Sequence, residues 1–430
     1  MHATLDSWIR HEAVPFSVDS PETFNASVDK MAAALGDSVE LLGFGEALHG
    51  GEDILMLRNR LFQRLVEAHG YSAIAIENSF PKGRTANDYV AGCGPDSYEA
   101  VQEAGFSHGF GQLEANRELL EWMRGYNADS SHRVKLHFYG FDMPLLRASY
   151  ASPSQVLHFV LDYLASIDSA SGQEYRQLIV SLIGSDFDWE NPEAITDPSK
   201  SVGLSPAATA LRIATEDLIT ELKIRRPELV AQSGPDRYAE ALHYAAAARG
   251  LLNYHAAVAR KSDAGHLLGI RDAAMADNLA YIVERERGWG KVLAFAHNSH
   301  LQRGQAVWPW YTFWPVGSHL NEIFGARYAV IGSAVGVSEA NGIGQPEAGT
   351  LEARLMALPG SGAFIPTHKG QGLPDSEIAS LPTRSGSTKN LSYMPITAQS
   401  FTDFDWLVFL DSTVYSRGGP PLQQGNTAAE

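Results

Sequence analysis

The sequence predicts an α/β protein with a mostly parallel sheet core flanked by helices and a helical domain inserted into that core. Six short apolar runs, five of which end in Gly or a polar residue, are separated by stretches of helical periodicity. This alternation is typical of parallel sheets. The runs are apolar throughout, which favours strands buried on both faces. They span residues 39–45, 72–77, 135–142, 291–297, 327–334 and 405–411.

The stretch between the first two runs predicts one amphipathic helix. Apolar residues recur there at helical spacing, at Ile54, Leu57, Leu61 and Leu65. Gly70 follows as a natural stop, because glycine readily adopts the conformation that ends a helix. The two strands and this helix are therefore predicted to form one βαβ unit.

The long interval between the third and fourth runs predicts the inserted domain, because residues 207–224 and 237–260 have helical patterns. A later helical stretch, 272–287, leads into the fourth strand and is expected to pack on the sheet. After Ser333 the chain is rich in Gly, Pro, Ser and Thr, which predicts a lid-like loop region. The predicted units are residues 1–150 (first part of the core), 151–265 (helical insertion), 266–412 (second part of the core with the lid-like region) and 413–430 (flexible tail).

Composition and charge limit the classes of partner. Hydrophobic residues make up 44% of the chain and charged residues 19%, which predicts a folded protein. A net charge of −17 disfavours nucleic acids and anionic membranes. Cys93 is the single cysteine, which fits a reducing compartment. No secretory pattern opens the sequence and no apolar run approaches the roughly 20 residues of a membrane span, so we expect a cytoplasmic protein, its oligomeric state left open.

Ionisable residues follow four of the predicted strands at their carboxyl ends, where open parallel sheets place their ligands. A carboxylate directly after the apolar run Ala-Ile-Ala-Ile would be costly unless it were paired or used, which makes Glu77 the clearest candidate. Each of the other residues also has a structural interpretation, such as a helix cap or a solvated side chain. The candidates are Glu46 and His49 after the first strand, Glu77 after the second, Asp142 after the third, and His297 and His300 after the fourth.

Two other motifs lack the context that their chemistry needs. Ser107 lies in a G-x-S-x-G string, but the residues before it have a helical pattern, whereas a nucleophile elbow follows a strand. The string that begins at Gly43 resembles a dinucleotide fingerprint, but Leu48 stands where the third glycine belongs. The sequence has neither an H-E-x-x-H motif nor a cysteine cluster, so the strong zinc signatures are missing. We therefore expect that no cofactor is required.

Several blocks, in this order along the chain, resemble the erythromycin esterase family, which includes succinoglycan-biosynthesis homologues. They are G-E-A-L-H-G at residues 45–50, the strand ending in Glu77, N-R-E-L-L-E-W-M-R-G-Y-N at 116–127, F-Y-G-F-D at 138–142 and A-H-N-S-H-L at 296–301. The resemblance implies a sheet core and a helical domain with the active-site cleft between them. It also implies hydrolysis of an ester, in the best-known members the lactone of a macrolide antibiotic, and hence a link to resistance.

The resemblance further implies roles for individual residues. His49 would be the general base that activates water, and Glu46 and Glu77 would orient it. Arg58 and His297 would bind or polarise the carbonyl, although Arg58 could equally be a surface residue. The further predicted substrate-binding residues are His300, Asp142 and His108. His108 lies in 106–115, where resistance enzymes tend to carry a Trp-rich stretch that this chain lacks, so the substrate is left open.

The mechanism is chemically sound, because an imidazole with a pKa near 6.5 can take a proton from water at neutral pH. Two alternatives stay open at this stage. The first is a biosynthetic tailoring enzyme that uses the same His and Glu residues for proton transfer on a peptide or polyketide. The second is a non-catalytic protein that binds a divalent metal or haem iron. The ligands of such a metal would be Glu46, His49, Glu77 and His297.

Overall fold

The computed structural model, which describes residues 4–144, 146, 150–308, 310–373 and 375–420, contains ten strands. Their bounds are β1 Val14–Phe16, β2 Leu41–Glu46, β3 Tyr71–Ser79, β4 His137–Asp142, β5 Lys291–His297, β6 Ala306–Trp308, β7 Tyr311–Phe313, β8 Tyr328–Val337, β9 Gly362–Pro366 and β10 Trp406–Ser412. Eight of them form one sheet in the order β1-β9-β10-β8-β2-β5-β3-β4, and β6 and β7 form a separate hairpin. From β10 to β4 all neighbouring strands are parallel.

Helices cover both faces of this sheet and form a further layer beside it. Their bounds are α1 Leu5–Glu12, α2 Pro21–Leu35, α3 Glu52–His69, α4 Phe80–Val90, α5 Tyr98–Val101, α6 Glu114–Ala128, α7 Ser154–Ile167, α8 Ser169–Ile183, α9 Asp186–Trp189, α10 Glu193–Thr196, α11 Pro206–Ile224, α12 Arg226–Ser233, α13 Pro235–Ala259, α14 Ala264–Glu286, α15 Asn298–Leu301, α16 Val316–Phe324, α17 Leu351–Leu355, α18 Asp375–Ala379 and α19 Ser400–Asp403.

The fold class predicted from the sequence is confirmed, since the sheet is mostly parallel and helices flank it. The six apolar runs correspond to β2, β3, β4, β5, β8 and β10. The sequence missed β1 and β9, which add two antiparallel strands at one edge of the sheet. Both are short and contain proline or glycine, so neither gives a recognisable strand pattern.

The apolar core has three main parts. Two clusters lie on the two faces of the sheet, represented by Phe44 and Leu61 on one face and by Ala294 and Leu279 on the other. A third cluster lies within the helices between Ser154 and Ala259, in the stretch where the sequence predicts the helical insertion. Long helix α14 contacts both α13 and strand β4, so it joins these helices to the sheet.

The strand order positions the candidate residues, because β2, β5, β3 and β4 are consecutive neighbours. Glu46 is in register with His297, and Ser79 with Asp142, so the four carboxyl ends meet at one edge of the sheet. Gly45 allows β2 to approach Asn298 closely, because a Cβ atom at position 45 would lie 2.3 Å from the Oδ1 atom of Asn298. The predicted helix is α3, and Gly70 ends it in the left-handed conformation, with φ of 72°.

Residues 413–420 differ from the predicted flexible tail, because they are bound to the start of α3. Tyr415 forms a β-bridge with Gly51, and the Nε group of Arg417 donates a hydrogen bond of 2.6 Å to Glu52 Oε1. Glu52 is 6% exposed and needs a partner, but a pair that joins residues 365 positions apart leaves no pattern in the sequence. The rest of the predicted tail, 421–430, lies outside the described residues.

Candidate active site

His49 and Glu46 form a hydrogen-bonded pair at the carboxyl end of β2. The Nδ1 atom of His49 lies 2.6 Å from the Oε1 atom of Glu46. The Glu46 side chain is 5% exposed, whereas that of His49 is 37% exposed. A carboxylate bound to Nδ1 holds the proton on that nitrogen, so Nε2 carries the lone pair of the neutral imidazole. The pair is thus arranged as an accessible base with a buried anionic partner.

The surroundings of His49 raise its pKa above the usual 6.5. Burial acts in the opposite direction, but the charge of Glu46 and its hydrogen bond outweigh burial, and Glu77 adds to the increase. The nearby positive charge of His300 offsets a part of it. His49 therefore becomes a free base only as the pH rises through a value above 6.5.

Glu77, at the carboxyl end of β3, is buried and held by three groups. Its Oε1 atom accepts a hydrogen bond of 2.9 Å from Arg271 Nη2 and lies 3.4 Å from His300 Nε2. Its Oε2 atom accepts the backbone N–H of His297 at 3.0 Å. Burial raises the pKa of Glu77, but His300 and Arg271 outweigh burial and hold it well below its usual range. Glu77 is therefore ionised, and its partners offset the free energy that burying a charged carboxylate costs.

Glu77 belongs to a buried ion network, defined here as Glu77, Asp142, Arg271, Asp272 and His300. The Nε group of Arg271 donates to Asp142 Oδ1 at 2.9 Å, and Nδ1 of His300 lies 2.8 Å from Asp272 Oδ1. Burial lowers the pKa of His300, but Asp272 and Glu77 outweigh burial and raise it to about 10. His300 is thus an imidazolium at neutral pH, and every charge of the network contacts an opposite charge.

His297 is the neighbour of His49, with 5.1 Å between the ring centroids, but both of its nitrogens are occupied. Nδ1 accepts the backbone N–H of Ser299 at 3.2 Å, and Nε2 lies 2.7 Å from the carbonyl oxygen of Ser392, which can only accept. Burial and, to a lesser degree, the charge of His49 lower the pKa of His297 to about 3. The predicted role of polarising a carbonyl does not fit this arrangement, because no nitrogen is free.

Residues 390–394, the strap, lie over the turn that carries His49. The backbone N–H of His49 donates to Ser392 Oγ at 2.9 Å, and its carbonyl accepts from Asn390 Nδ2 at 3.0 Å. Met394 N–H donates to the carbonyl of Ala47 at 2.8 Å. The strap falls within the predicted lid-like region, and it fixes the backbone of the turn on which the candidate base lies.

Arg58 is buried in helix α3, with 1% exposure, so the surface alternative is wrong. Its Nε and Nη2 groups donate to Asn59 Oδ1, and its guanidinium lies 4.8 Å from the Phe295 ring centroid. Burial lowers its pKa to about 10, which keeps it charged at neutral pH. Predicted carbonyl binding by Arg58 would use Nη1, which takes no part in the bonds to Asn59.

A cavity of about 20 Å³ lies between Glu46, Arg58, Glu77 and Asn116. This volume suffices for one water molecule. Two buried acceptors, Glu46 Oε2 and Asn116 Oδ1, have no hydrogen-bond partner within the described residues. Buried acceptors without a partner are costly, so a water molecule that donates to them would stabilise this corner of the site.

His108 contacts the ion network at Asp142, and Ser107 contacts the carboxyl end of β3. The Nε2 atom of His108 lies 3.2 Å from Asp142 Oδ2, and its backbone has a φ of 58°, in the left-handed region that side chains rarely adopt. Ser107 is buried, and its hydroxyl donates to Asn78 Oδ1 at 3.0 Å while it accepts the backbone N–H of Ser79. This hydroxyl is structural, in agreement with the missing context of its motif.

Three contributors to the site were not predicted. Arg271 and Asp272 lie on helix α14, and Ser392 lies in the strap. Asp272 had a detectable signal, because it falls on the apolar stripe that includes Met275 and Leu279, where an acidic side chain needs a buried partner. Ser392 had none, since its segment has no periodicity.

The four residues of the metal alternative do not form a metal centre. Among the described residues, no group of three or more His, Cys, Asp or Glu side chains is arranged to hold a metal ion. Glu77 faces Arg271 and His300, and both nitrogens of His297 are engaged, so their donor atoms are not directed at a common point.

Within the same residues, no helix has the length and apolar character needed to cross a membrane.

The fold and site together define a class: an α/β protein with a histidine–carboxylate pair at the carboxyl edge of a parallel sheet, above a buried ion network. The chain belongs to the erythromycin esterase family, whose sequence model matches residues 66–413. It is 23% identical over 341 residues to erythromycin esterase type II of Escherichia coli, and this match covers 76% of each chain. The resemblance found in the sequence blocks is thereby confirmed.

Solved structures share the fold. A Bacillus cereus protein has a TM-score of 0.76 at 17% identity, with coverage of 96% of this chain and 98% of that one. A succinoglycan biosynthesis protein has a TM-score of 0.72 at 19% identity and the same coverage. A mutant erythromycin esterase in its open conformation has a TM-score of 0.68 at 17% identity, with coverage of 90% and 94%.

Proposed function

We propose that the protein hydrolyses a carboxylic ester or a lactone, with His49 as general base and without a serine nucleophile. The observation that carries this proposal is the hydrogen bond of 2.6 Å between His49 Nδ1 and a Glu46 carboxylate that is 5% exposed, beside an imidazole that is 37% exposed. Family membership supports ester hydrolysis as the class of reaction. The match to the family model begins at residue 66 and does not include His49, so the support for its role is the geometry together with the resemblance at residues 45–50.

The proposed reaction needs one water molecule. Nε2 of His49 takes a proton from water, and the resulting hydroxide adds to the carbonyl carbon to give a tetrahedral oxyanion. Collapse of this intermediate breaks the bond to the alcohol oxygen, which takes the proton back from the imidazolium. Glu46 stabilises the imidazolium while it exists. Arg58, next to the cavity, supplies positive charge for the oxyanion.

Two serines lie near the site, and neither has the base that a nucleophile needs. The hydroxyl of Ser107 is buried and bound to Asn78. Ser299 Oγ lies 2.7 Å from His297 Nδ1, but the low pKa of His297, about 3, makes that imidazole a weak base at neutral pH. His49, whose pKa is raised, is the stronger base of the two neighbouring histidines.

The test is mass-spectrometric turnover of a macrolide lactone and a panel of simple alkyl esters by the purified chain. We expect turnover that adds one water molecule to the substrate and that a chelator does not reduce. This turnover should be lost in His49→Ala, with the fold intact by circular dichroism. His69→Ala is the matched control, because His69 also binds a carboxylate, Asp29, at 2.8 Å but lies at the far end of α3. Full activity of His49→Ala would refute the proposal. Products isomeric with the substrate would favour the tailoring alternative.

A further inference from the structure

A second histidine–carboxylate pair lies away from the candidate active site, at the amino end of edge strand β4. The Nδ1 atom of His137 lies 2.8 Å from the Oε1 atom of Glu286, at the end of helix α14. The Glu286 side chain is 1% exposed, and that of His137 is 34% exposed. His137 is five residues before Asp142 on the same strand, about 17 Å away along it.

Glu286 is held by two hydroxyl groups in addition to His137. Tyr139 donates its hydroxyl to Oε1 at 2.7 Å, and Ser72 donates to Oε2 at 2.7 Å. Burial raises the pKa of Glu286, but the hydrogen bond with His137 and the others outweigh burial, so the pKa is lowered. An ionised carboxylate at Nδ1 of His137 leaves Nε2 as the nitrogen with the lone pair. The pair shares with His49 and Glu46 the contact from Nδ1 to a carboxylate Oε1 atom, with a buried carboxylate beside a half-exposed imidazole.

His137 and Glu286 line a cavity of about 270 Å³ between β4 and the helices α13 and α14. Small-molecule sites occupy roughly 300 Å³ or more, so this cavity suits a compact ligand. Six aromatic residues line it: Phe80, Phe138, Tyr139, Tyr244, Tyr281 and Trp289. Such walls favour a planar aromatic molecule, which gains stacking as well as burial.

The charges that line the cavity nearly balance. Arg84 is paired with Glu240 at 3.1 Å, and Arg285 donates to the hydroxyl of Tyr281 at 3.3 Å. With Asp236 and Glu286 included, carboxylates outnumber guanidinium groups by one. A neutral ligand is therefore favoured over an anionic one, because an added negative charge would meet three carboxylates.

We infer that His137 and Glu286 form a second catalytic site, which binds small, neutral aromatic esters and hydrolyses them. In this reaction Nε2 of His137 takes a proton from water, and the hydroxide adds to the ester carbonyl. The intermediate collapses, expels the aryloxide and leaves the acid. The aryloxide takes up the proton from the imidazolium, so the site returns to its first state. The guanidinium of Arg285 lines the same cavity and supplies positive charge for the oxyanion.

The test uses 4-nitrophenyl acetate and the full chain with His49→Ala, so that the first site cannot contribute. We expect residual hydrolysis that saturates with substrate concentration and falls at least about tenfold in kcat/KM when His137→Ala is added. Trp289→Ala, at a wall residue that is 61% exposed, should raise KM without loss of fold. His137→Ala alone should leave the turnover of substrates of the first site unchanged.

The matched control is His11→Ala. His11 Nδ1 also lies 3.0 Å from a carboxylate oxygen, in Glu12, but its side chain is 84% exposed. Equal loss in the His11 and His137 variants, or a rate that stays linear in substrate, would overturn the inference, because both indicate unspecific imidazole reactivity. Since the assay uses the His49→Ala background, failure here leaves the proposed function untouched, and failure of the macrolide and ester panel leaves this site untouched.

Discussion

Replacing Glu46 with glutamine separates the charge of the carboxylate from its shape. Glutamine fills the same space and keeps one acceptor oxygen for Nδ1 of His49. It removes the negative charge that raises the pKa of His49 and stabilises the imidazolium. Glu46→Gln should therefore leave the fold in place and weaken the base.

The size of the effect follows from the hydrogen bond of 2.6 Å between a carboxylate and an imidazolium. Hydrogen bonds to charged groups contribute about 1.5–3 kcal/mol. At about 1.4 kcal/mol per factor of ten, kcat/KM on the pH plateau should fall roughly 10- to 150-fold. The pH profile should change as well. Burial still lowers the pKa of His49 after the substitution, so the rising limb should move from above 6.5 to a lower pH.

The assay is kcat/KM against pH for the parent chain and for Glu46→Gln, on whichever ester the panel identifies. Asp29→Asn is the control, since it removes the carboxylate partner of His69, outside the site. A plateau within about twofold of the parent, or a rising limb that stays in place, would refute the assignment of Glu46 as the partner that sets the basicity of His49.

Three further outcomes are expected. Arg271→Ala leaves Glu77 and Asp142 buried without their shared cation, so the free energy of unfolding should fall by about 3–5 kcal/mol in urea titrations, and a loss below about 1 kcal/mol would contradict the ion network. The pKa of His300 is about 10 in the folded chain and near 6.5 in the unfolded chain. Its charge should therefore stabilise the fold fully below pH 6.5, and this contribution should be lost as the pH rises through 10. Equal free energies of unfolding at pH 7 and pH 10 would exclude this contribution. Ser392→Ala removes one hydrogen bond to the turn and should lower the free energy of unfolding by about 1 kcal/mol, measured by thermal unfolding. An unchanged free energy of unfolding would rule out that hydrogen bond.

The strands that carry the site could be predicted because each is buried on both faces. Burial on both faces requires an unbroken apolar run, and β2, β3 and β5 supply one. Since parallel strands end at one edge of a sheet, the residues that follow them had to converge there. Strands β1 and β9 are held by pairing at the sheet edge, and that pairing leaves no distinct pattern in three to five residues.

Proximity could be predicted from the sequence, but the hydrogen-bond partners of each side chain could not. His49 and His297 both follow a buried strand, yet one imidazole is accessible and the other is closed by Ser392, about 95 residues further along the chain. Such a contact depends on how a loop without periodicity folds back. The sequence therefore could not distinguish the candidate base from the histidine that binds the strap.

The ion network beneath the site bears on the basicity of His49. Its three carboxylates face two cations, so one negative charge remains in excess. Glu77 raises the pKa of His49 and His300 lowers it. The excess thus favours the imidazolium that forms when His49 takes a proton from water, and it does so from groups fixed before the substrate binds. Preorganised charge of this kind need not reorient during the reaction, which is why it lowers the barrier more than mobile water does.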